Sequence, residues 1–169
     1  MPMSEHLQRI RQKVGHDMLV LPSAAVAIHD NENRLLLGLH AEKKLWVLPG
    51  GLIEVGELPA DGAVREVWEE MGVVVELTGI LGIYGGETLV IQYSNGDRAS
   101  YVTVLFSGRI ASGKLSVDGQ EILEAQYFSR GELNAIPHPR WVDLAMPALF
   151  SKDNPVHFQQ TTWNPKQAI

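Results

Sequence analysis

The stretch GGLIEVGELPADGAVREVWEEMGV, residues 50–73, carries the densest structural information in this chain. Its opening glycine pair allows the backbone to bend sharply and to approach a ligand closely. Pro59 suits the first turn of a helix, where its missing N–H costs nothing, and Gly72 suits the residue after a helix, where φ is usually positive. The stretch therefore predicts a glycine-rich loop followed by a helix over residues 59–71.

Three carboxylates share one face of this predicted helix. Glu66, Glu69 and Glu70 stand at positions i, i+3 and i+4, a spacing that brings helical side chains together. Like charges at this spacing repel by roughly a few tenths of a kcal/mol per pair. Arg65 can pair with Glu69, but one arginine cannot neutralise three acids. The face is therefore either simply solvated, as is usual for three glutamates alone, or a site for a divalent cation.

The composition narrows the kind of metal that such a site could bind. The chain contains no cysteine, so the available ligands are oxygen atoms and imidazole nitrogens. Oxygen ligands favour hard cations, here Mg²⁺ or Mn²⁺.

The rest of the chain interleaves strand and helix patterns. Ser4 can cap an extra N-terminal helix within residues 1–15, and Asn95-Gly96 is a strong hairpin-turn signal. The predicted strands are residues 19–21, 24–29, 34–40, 46–48, 73–84, 88–93, 101–110 and 125–128, and the later helices are residues 130–134 and 140–150. Interleaving of this kind predicts a mixed α/β sheet with helices on both faces.

Size and composition predict one domain over residues 1–169, with a polar loop at 111–119 and an irregular tail at 151–169. Hydrophobic residues make up 45% of the chain, which is enough for a real core. No apolar run approaches the ~20 residues of a membrane span, and the charged N-terminus does not resemble a secretory signal. We therefore expect a soluble cytoplasmic protein. The net charge of −6 argues against stable binding of nucleic acid, which needs basic patches.

The acidic stretch resembles the Nudix box, the signature of the Nudix hydrolases. All positions of that pattern are filled over 23 residues: Gly51, five residues, Glu57, seven residues, Arg65-Glu66-Val67, one residue, Glu69-Glu70, one residue, and Gly72-Val73. The segments 46–51 and 124–128 also look like the lead-in and the late strand of that family.

This resemblance implies a fold and a reaction. The fold is an α/β/α sandwich around a mixed β-sheet. The reaction is that of MutT-like pyrophosphohydrolases, namely hydrolysis of a nucleoside diphosphate linked to another group. Attack by water activated by Mg²⁺, with Mn²⁺ as a substitute, suits this chemistry, because such ions neutralise phosphoryl oxygens and supply a nucleophile near neutral pH. Many relatives are homodimers, which implies a homodimer here.

The resemblance also assigns roles to residues of the box. Glu66, Glu69 and Glu70 are implied metal ligands together with the carbonyl of Gly50, and Glu66 is alternatively the general base. Arg65 and Glu57 are implied to orient the metal-binding glutamates.

A further acidic residue from outside the box often completes such a site as ligand or base. The candidates here are Asp118, Glu121 and Glu124, and we favour Glu121 because it lies in the loop before the late strand. A plain surface glutamate is the alternative.

Substrate contacts are predicted among aromatic and cationic residues outside the box. The expected ones are Trp46, Tyr84 and Tyr101 for stacking and Arg34 for phosphate, from wider sets that include Tyr93, His40 and Lys43. The segment 84–101 reads as a hairpin that folds over the substrate or pairs two subunits. A nucleotide-sugar such as ADP-ribose, or a (d)NTP, is the expected substrate.

Two other functions and two departures from the family pattern bear on this hypothesis. A catalytically silent nucleotide sensor is disfavoured because the three helix glutamates are intact, and an isoprenoid diphosphate isomerase is disfavoured because it needs a thiol. Leu58 stands where a capping Ser or Thr is common. Gly62 stands where alanine is usual, at an expected cost of ~1 kcal/mol in helix stability.

Overall fold

Two β-sheets and four α-helices make up the part of the chain that the computed structural model describes, residues 4–151 and 156–163. The helices are α1 (Glu5–Val14), α2 (Pro59–Met71), α3 (Arg130–Leu133) and α4 (Arg140–Leu149). The strands are β1 (Met18–Ile28), β2 (Leu35–His40), β3 (Trp46–Val47), β4 (Gly50–Leu52), β5 (Val73–Tyr84), β6 (Val90–Gln92), β7 (Arg98–Gly113), β8 (Ile122–Phe128) and β9 (His157–Phe158).

The larger sheet has the strand order β4-β1-β7-β5-β9, with β6 also paired to β7, and the smaller sheet has the order β3-β2-β8. β1 and β7 run parallel along the whole of β1, whereas β5 and β7 are antiparallel. The predicted mixed sheet is therefore confirmed, but it is divided into two sheets.

Helices cover both faces of the larger sheet. On one face α2 packs on the sheet through a buried cluster that includes Ala24, Val26, Ala63, Val67, Met71 and Phe106. On the other face α4 packs through a cluster that includes Ala25, Leu105, Val142, Ala145 and Leu149. Along β2, Leu36 joins the first cluster while Leu35 and Leu37 join the second, as the period of a strand requires. This arrangement confirms the α/β/α sandwich.

The two strands predicted at 19–21 and 24–29 form one strand, β1, that continues through Pro22. The carbonyl of Pro22 accepts a hydrogen bond from Ile53 N–H at 3.2 Å, on the side of β1 where β4 ends. The missing N–H of Pro22 faces that same side, because the N–H and C=O of a strand residue point in one direction. Nothing is lost from the ladder with β7, so the proline does not break the strand.

The ends of the chain follow the prediction in part. α1 begins after Ser4, whose Oγ accepts a hydrogen bond from Leu7 N–H at 3.3 Å. β7 continues to Gly113, into the predicted loop at 111–119, because it pairs there with Val73. The tail is not irregular throughout, since His157 pairs with Gly82 in β9, and its residues 152–155 and 164–169 lie outside the described ones.

No helix within the described residues is both long and apolar enough to span a bilayer.

Gly38 on β2 marks where the smaller sheet meets α2. A Cβ at Gly38 would lie 2.7 Å from Ile122 Cγ2 and 2.7 Å from Met71 Cε. We expect Gly38→Ala to lower the free energy of unfolding by about 1–3 kcal/mol through overpacking, as measured by urea denaturation. Gly79→Ala is the control, because its Cβ would meet only Ser107 Oγ at 3.5 Å. Equal losses for the two variants would contradict this packing.

Candidate active site

The helix α2 has the predicted bounds, Pro59–Met71, and it ends at Gly72 in the left-handed conformation with φ 68°. Leu58 precedes it without a side-chain capping hydrogen bond, as expected. One side of α2 is buried on the sheet. The adjoining side carries Glu66 and Glu70, both buried, and Glu69, which is more exposed. The fold therefore aims the acidic face at the loop that precedes the helix.

Arg65 joins this loop to the helix. Its Nε and Nη2 donate to the two oxygens of Glu57 at 2.9 and 3.0 Å, and Nη2 also donates to the carbonyl of Leu52 at 2.9 Å. Its Nη1 donates to Glu66 Oε1 at 2.8 Å and to Glu69 Oε2 at 3.0 Å. A guanidinium has five N–H donors, so these five bonds use all of them.

The charge and the position of the Glu57 carboxylate depend on Arg65 and on the glycine at position 62. Arg65 holds the pKa of Glu57 below its usual range, and Glu57 Oε2 also accepts from Glu54 N–H at 2.9 Å. A Cβ at Gly62 would lie 2.9 Å from that same Oε2. Gly62 therefore does more than weaken the helix, because its missing side chain leaves space for the Glu57 carboxylate.

The buried carboxylates of Glu66 and Glu70 lie against the backbone of β4. Glu70 Oε2 accepts a hydrogen bond from Gly50 N–H at 3.0 Å. A Cβ at Gly51 would stand 2.6 Å from the Glu66 carboxyl carbon and from its Oε2. A Cβ at Gly50 would stand 2.2 Å from the Ala24 carbonyl oxygen, and the φ of Gly50 is 149°. Only glycine fits at position 50, and a side chain at position 51 would displace the Glu66 carboxylate.

Burial destabilises the charged forms of the Glu66 and Glu70 carboxylates. Burial raises the pKa of Glu66, and hydrogen bonding to Arg65 offsets this effect only in part. Burial raises the pKa of Glu70 well above its usual value, the Gly50 N–H opposes this, and the charges of Glu66, Glu121 and Asp118 raise it further. A cation between these groups would relieve both effects.

The structure also distinguishes the three acids predicted outside the box. The charge of Glu121 raises the pKa of both Glu66 and Glu70, and its carbonyl accepts a hydrogen bond from Ala41 N–H at 2.8 Å. Asp118 accepts from the N–H groups of Glu121 and Ile122 at 3.0 and 2.9 Å, which shapes the loop. Glu124 is exposed on β8. The role of Glu121 as ligand or base stays a prediction.

The donor set fits a hard divalent cation, although it is not gathered around one point. Within residues 4–151 and 156–163, no three acidic or histidine side chains already stand in a metal-binding arrangement. Glu66 and Glu69 each turn one oxygen to Arg65, and Glu70 turns one to Gly50. These hydrogen bonds do not use the second oxygen of each carboxylate. Carboxylate oxygens are the hard ligands that Mg²⁺ prefers.

The predicted substrate contacts fare unevenly. The prediction is wrong for Tyr84, which is 1% exposed and packs against the rings of Trp141 and His157, so its ring is not available to a substrate. Among the described residues, Arg34 forms ion pairs with Asp30 at 2.7 Å and Glu32 at 3.6 Å and not with the glutamates of α2.

Trp46 and Tyr101 are both half-buried, and each has a protein partner. Trp46 packs edge-on against Phe128, and the hydroxyl of Tyr101 is hydrogen-bonded to that of Tyr93. Their contact with a substrate stays a prediction.

Lys43 and Tyr93 were predicted only as members of wider sets, yet the structure brings them together near Glu121. Lys43 Nζ lies 5.4 Å from the centre of the Tyr93 ring, and the charge of Glu121 raises the pKa of both side chains. Because they are far apart in the sequence, no local pattern could have paired them.

Comparisons with known proteins agree with this geometry. A family model described as NUDIX domain matches residues 20–149. The chain is 29% identical over 138 residues to an ADP-ribose pyrophosphatase of Methanocaldococcus jannaschii, covering 79% of this chain and 76% of that one. It is 41% identical over 66 residues to a MutT-like protein of Streptomyces ambofaciens, covering 39% of this chain and 43% of that one.

Solved structures show the same fold. A MutT protein from Methanosarcina mazei matches with a TM-score of 0.66 at 20% identity, covering 79% of this chain and 94% of that one. An ADP-ribose pyrophosphatase from Streptococcus suis matches with a TM-score of 0.62 at 23% identity, covering 82% and 98%.

The network around Arg65 predicts an unequal effect of two arginine substitutions. Arg65→Met leaves three carboxylates without their shared donor, and we expect the free energy of unfolding to fall by about 2–4 kcal/mol. Arg109→Met removes an exposed pair with Glu76 at 2.7 Å, which is worth less than about 1 kcal/mol. Guanidinium denaturation of both variants measures the difference, and a similar loss for the two would count against a central role of Arg65.

Proposed function

Because the chain belongs to the NUDIX family and is a hydrolase of that family, we propose that it hydrolyses the pyrophosphate bond of a nucleoside diphosphate linked to another group. The proposed cofactor is Mg²⁺, which Mn²⁺ can replace. The observation that supports this most directly is the pair of buried carboxylates, Glu66 and Glu70, whose negative charge has too little compensation from the protein alone.

The proposed ligands are the side chains of Glu66, Glu69 and Glu70 and the carbonyl of Gly50. A bound divalent cation supplies charge neutralisation for phosphoryl oxygens and activation of water. Family members use divalent metals, and the oxygen-only donor set favours Mg²⁺.

The chain's own residues orient this site. Arg65 holds Glu66 and Glu69 from one side, and Glu57 fixes Arg65 with two parallel hydrogen bonds. Gly50 N–H holds Glu70 at a defined position. Glu121, whose charge raises the pKa of Glu66 and Glu70, is proposed to be a further ligand or the base that accepts a proton from water. Positioning of this kind supplies most of the catalysis in phosphoryl transfer.

The proposed substrate is a nucleotide-sugar such as ADP-ribose, or a (d)NTP. The relative from Methanocaldococcus jannaschii is an ADP-ribose pyrophosphatase by name, which supports the first class. A silent nucleotide-binding sensor is the second candidate, and the complete glutamate set disfavours it.

Glu70→Gln tests the proposal in two ways. The amide keeps the hydrogen bond from Gly50 but removes the charge of the ligand. Mutation of a residue that only supports a metal ligand already costs about 10–100-fold in activity. We therefore expect turnover of a nucleotide panel to fall by more than about a hundredfold. We also expect Mg²⁺ to raise the melting temperature of the wild type and not of this variant.

Glu76→Gln, an exposed glutamate on β5, is the matched control and should behave as the wild type. Binding of nucleotide that survives EDTA, with no turnover of any panel member, would support the sensor instead.

Gly51→Ala probes the space beside Glu66. The new Cβ would meet the Glu66 carboxylate at 2.6 Å, so Glu66 must move. Small misplacements of this kind cost about a hundredfold in rate, and we expect a loss of kcat and a higher Mg²⁺ requirement. Gly131→Ala on α3, where the Cβ would lie 4.0 Å from Ser129 Oγ, should leave both unchanged. Unaltered kinetics of Gly51→Ala would mean that Glu66 is not in the site.

A further inference from the structure

Two loops from different sheets meet next to the loop that carries Glu121, where Ala41 N–H donates to the Glu121 carbonyl at 2.8 Å. The first is the hairpin tip, residues 93–97 between β6 and β7, and the second is the β2–β3 turn, residues 41–45. Lys43 Nζ of the turn lies 5.4 Å from the ring centre of Tyr93 in the tip, within range of a cation–π contact. Ser94 of the tip lowers the pKa of Glu42 in the turn. The two loops therefore form one wall.

The β2–β3 turn is held tightly by His40. The N–H groups of Glu42 and Lys43 both donate to His40 Nδ1 at 3.2 Å. The backbone of His40 also donates to the Leu45 carbonyl and accepts from Lys44 N–H, each at 2.9 Å. Lys43 therefore projects from a fixed backbone, and His40 serves the turn through Nδ1.

The hairpin tip is held by the N-terminal helix. Arg11 of α1 donates to the Arg98 carbonyl at 2.8 Å, and its Nε lies 3.6 Å from the buried carboxylate of Asp97. His16 Nδ1 lies 2.8 Å from the other oxygen of Asp97, and Asn95 donates to Asp97 at 3.0 Å. The backbone of Asp97 in turn accepts from Tyr93 N–H at 2.9 Å. A chain of contacts thus leads from α1 to Tyr93.

This wall borders the carboxylate site. Ala41 N–H, in the β2–β3 turn, donates to the Glu121 carbonyl at 2.8 Å, and Asp118 N–H, in the same loop as Glu121, donates to the Glu70 carbonyl at 3.3 Å. The N–H groups of Arg65 are all used by protein partners, so it has none to offer a substrate. Among the described residues, the ammonium of Lys43 donates no hydrogen bond, and burial lowers its pKa. An added anion would stabilise it.

We propose that Lys43 is a specificity-determining residue, which binds a substrate phosphate that the helix glutamates and their cation do not hold, and that Tyr93, fixed by α1 through Asp97, positions it. This inference rests on the proposed function. A nucleoside triphosphate has one phosphate more than a nucleoside diphosphate linked to a sugar. Lys43 therefore favours triphosphates over nucleotide-sugars, and α1 contributes to that choice although it lies outside the box.

Lys43→Met, with Lys44→Met as the matched control, tests the lysine. Steady-state kinetics are measured with a nucleoside triphosphate and with ADP-ribose. We expect Lys43→Met to raise KM for the triphosphate by about tenfold or more, which is the usual effect of losing a hydrogen bond to a charged group. KM for ADP-ribose and both kcat values should change little. Lys44 is exposed on the same turn, and its substitution should change neither.

Asp97→Asn and Arg11→Met test the positioning role. Each should raise KM for the triphosphate in the same direction as Lys43→Met and leave kcat and the Mg²⁺ requirement unchanged. A general loss of stability would instead lower activity on both substrates alike. Arg109→Met, which breaks an exposed pair far from the hairpin tip, is the matched control.

The outcomes separate the two proposals. If Lys43→Met loses activity equally on both substrates, or on neither, the proposed role of Lys43 is refuted. Turnover by the wild type would still support the proposed hydrolase function. If the wild type hydrolyses nothing, the proposed function fails. Calorimetric binding of an α,β-methylene triphosphate with Mg²⁺ then decides about Lys43. Weaker binding by Lys43→Met than by Lys44→Met would sustain the inference, and equal binding would refute it.

Discussion

Arg65 holds the loop before α2 and the glutamates on α2 in one arrangement, because each of its five N–H groups has its own acceptor. The fork geometry of a guanidinium suits this task, since two of its donors meet both oxygens of Glu57 in parallel. The remaining donors reach Leu52, Glu66 and Glu69. Without this arginine, Glu66 and Glu69 would lose the donor that they share, and Glu57 would keep only the N–H of Glu54. The local fold and the electrostatics of the site therefore have a common origin.

The glycines of the box act mainly by the space that they leave. Gly51 and Gly62 lack the atoms that would collide with the carboxylates of Glu66 and Glu57. Gly50 combines a backbone angle that side chains rarely adopt with an N–H directed at Glu70. Backbone flexibility, the property first suggested by their number, matters less than this close approach of acid to main chain.

The local features of this chain could be predicted from sequence, and the non-local ones could not. The bounds of α2, the cap at Ser4 and the hairpin at Asn95 each depend on residues that are neighbours in the sequence. The continuity of β1 through Pro22 depends on where β4 ends, and the burial of Tyr84 depends on packing by α4 and the tail. The meeting of Lys43 with Tyr93 depends on the arrangement of two sheets. No pattern among neighbouring residues predicts any of these three features.

The parallel pairing of β1 with β7 bears on how the chain reaches this state. Met18 pairs with Arg98 and Ile28 with Gly108, so the centre of the larger sheet joins segments that are distant along the chain. Pairing over such distances must close a long loop before it gains contacts, which makes folding slow. During synthesis, β1 lacks its central neighbour until β7 has left the ribosome, and β4, which carries Gly50, has only β1 to pair with. We expect the glutamates to reach their final positions late, and pulse-labelling hydrogen exchange at Gly50 N–H during refolding would reveal the delay.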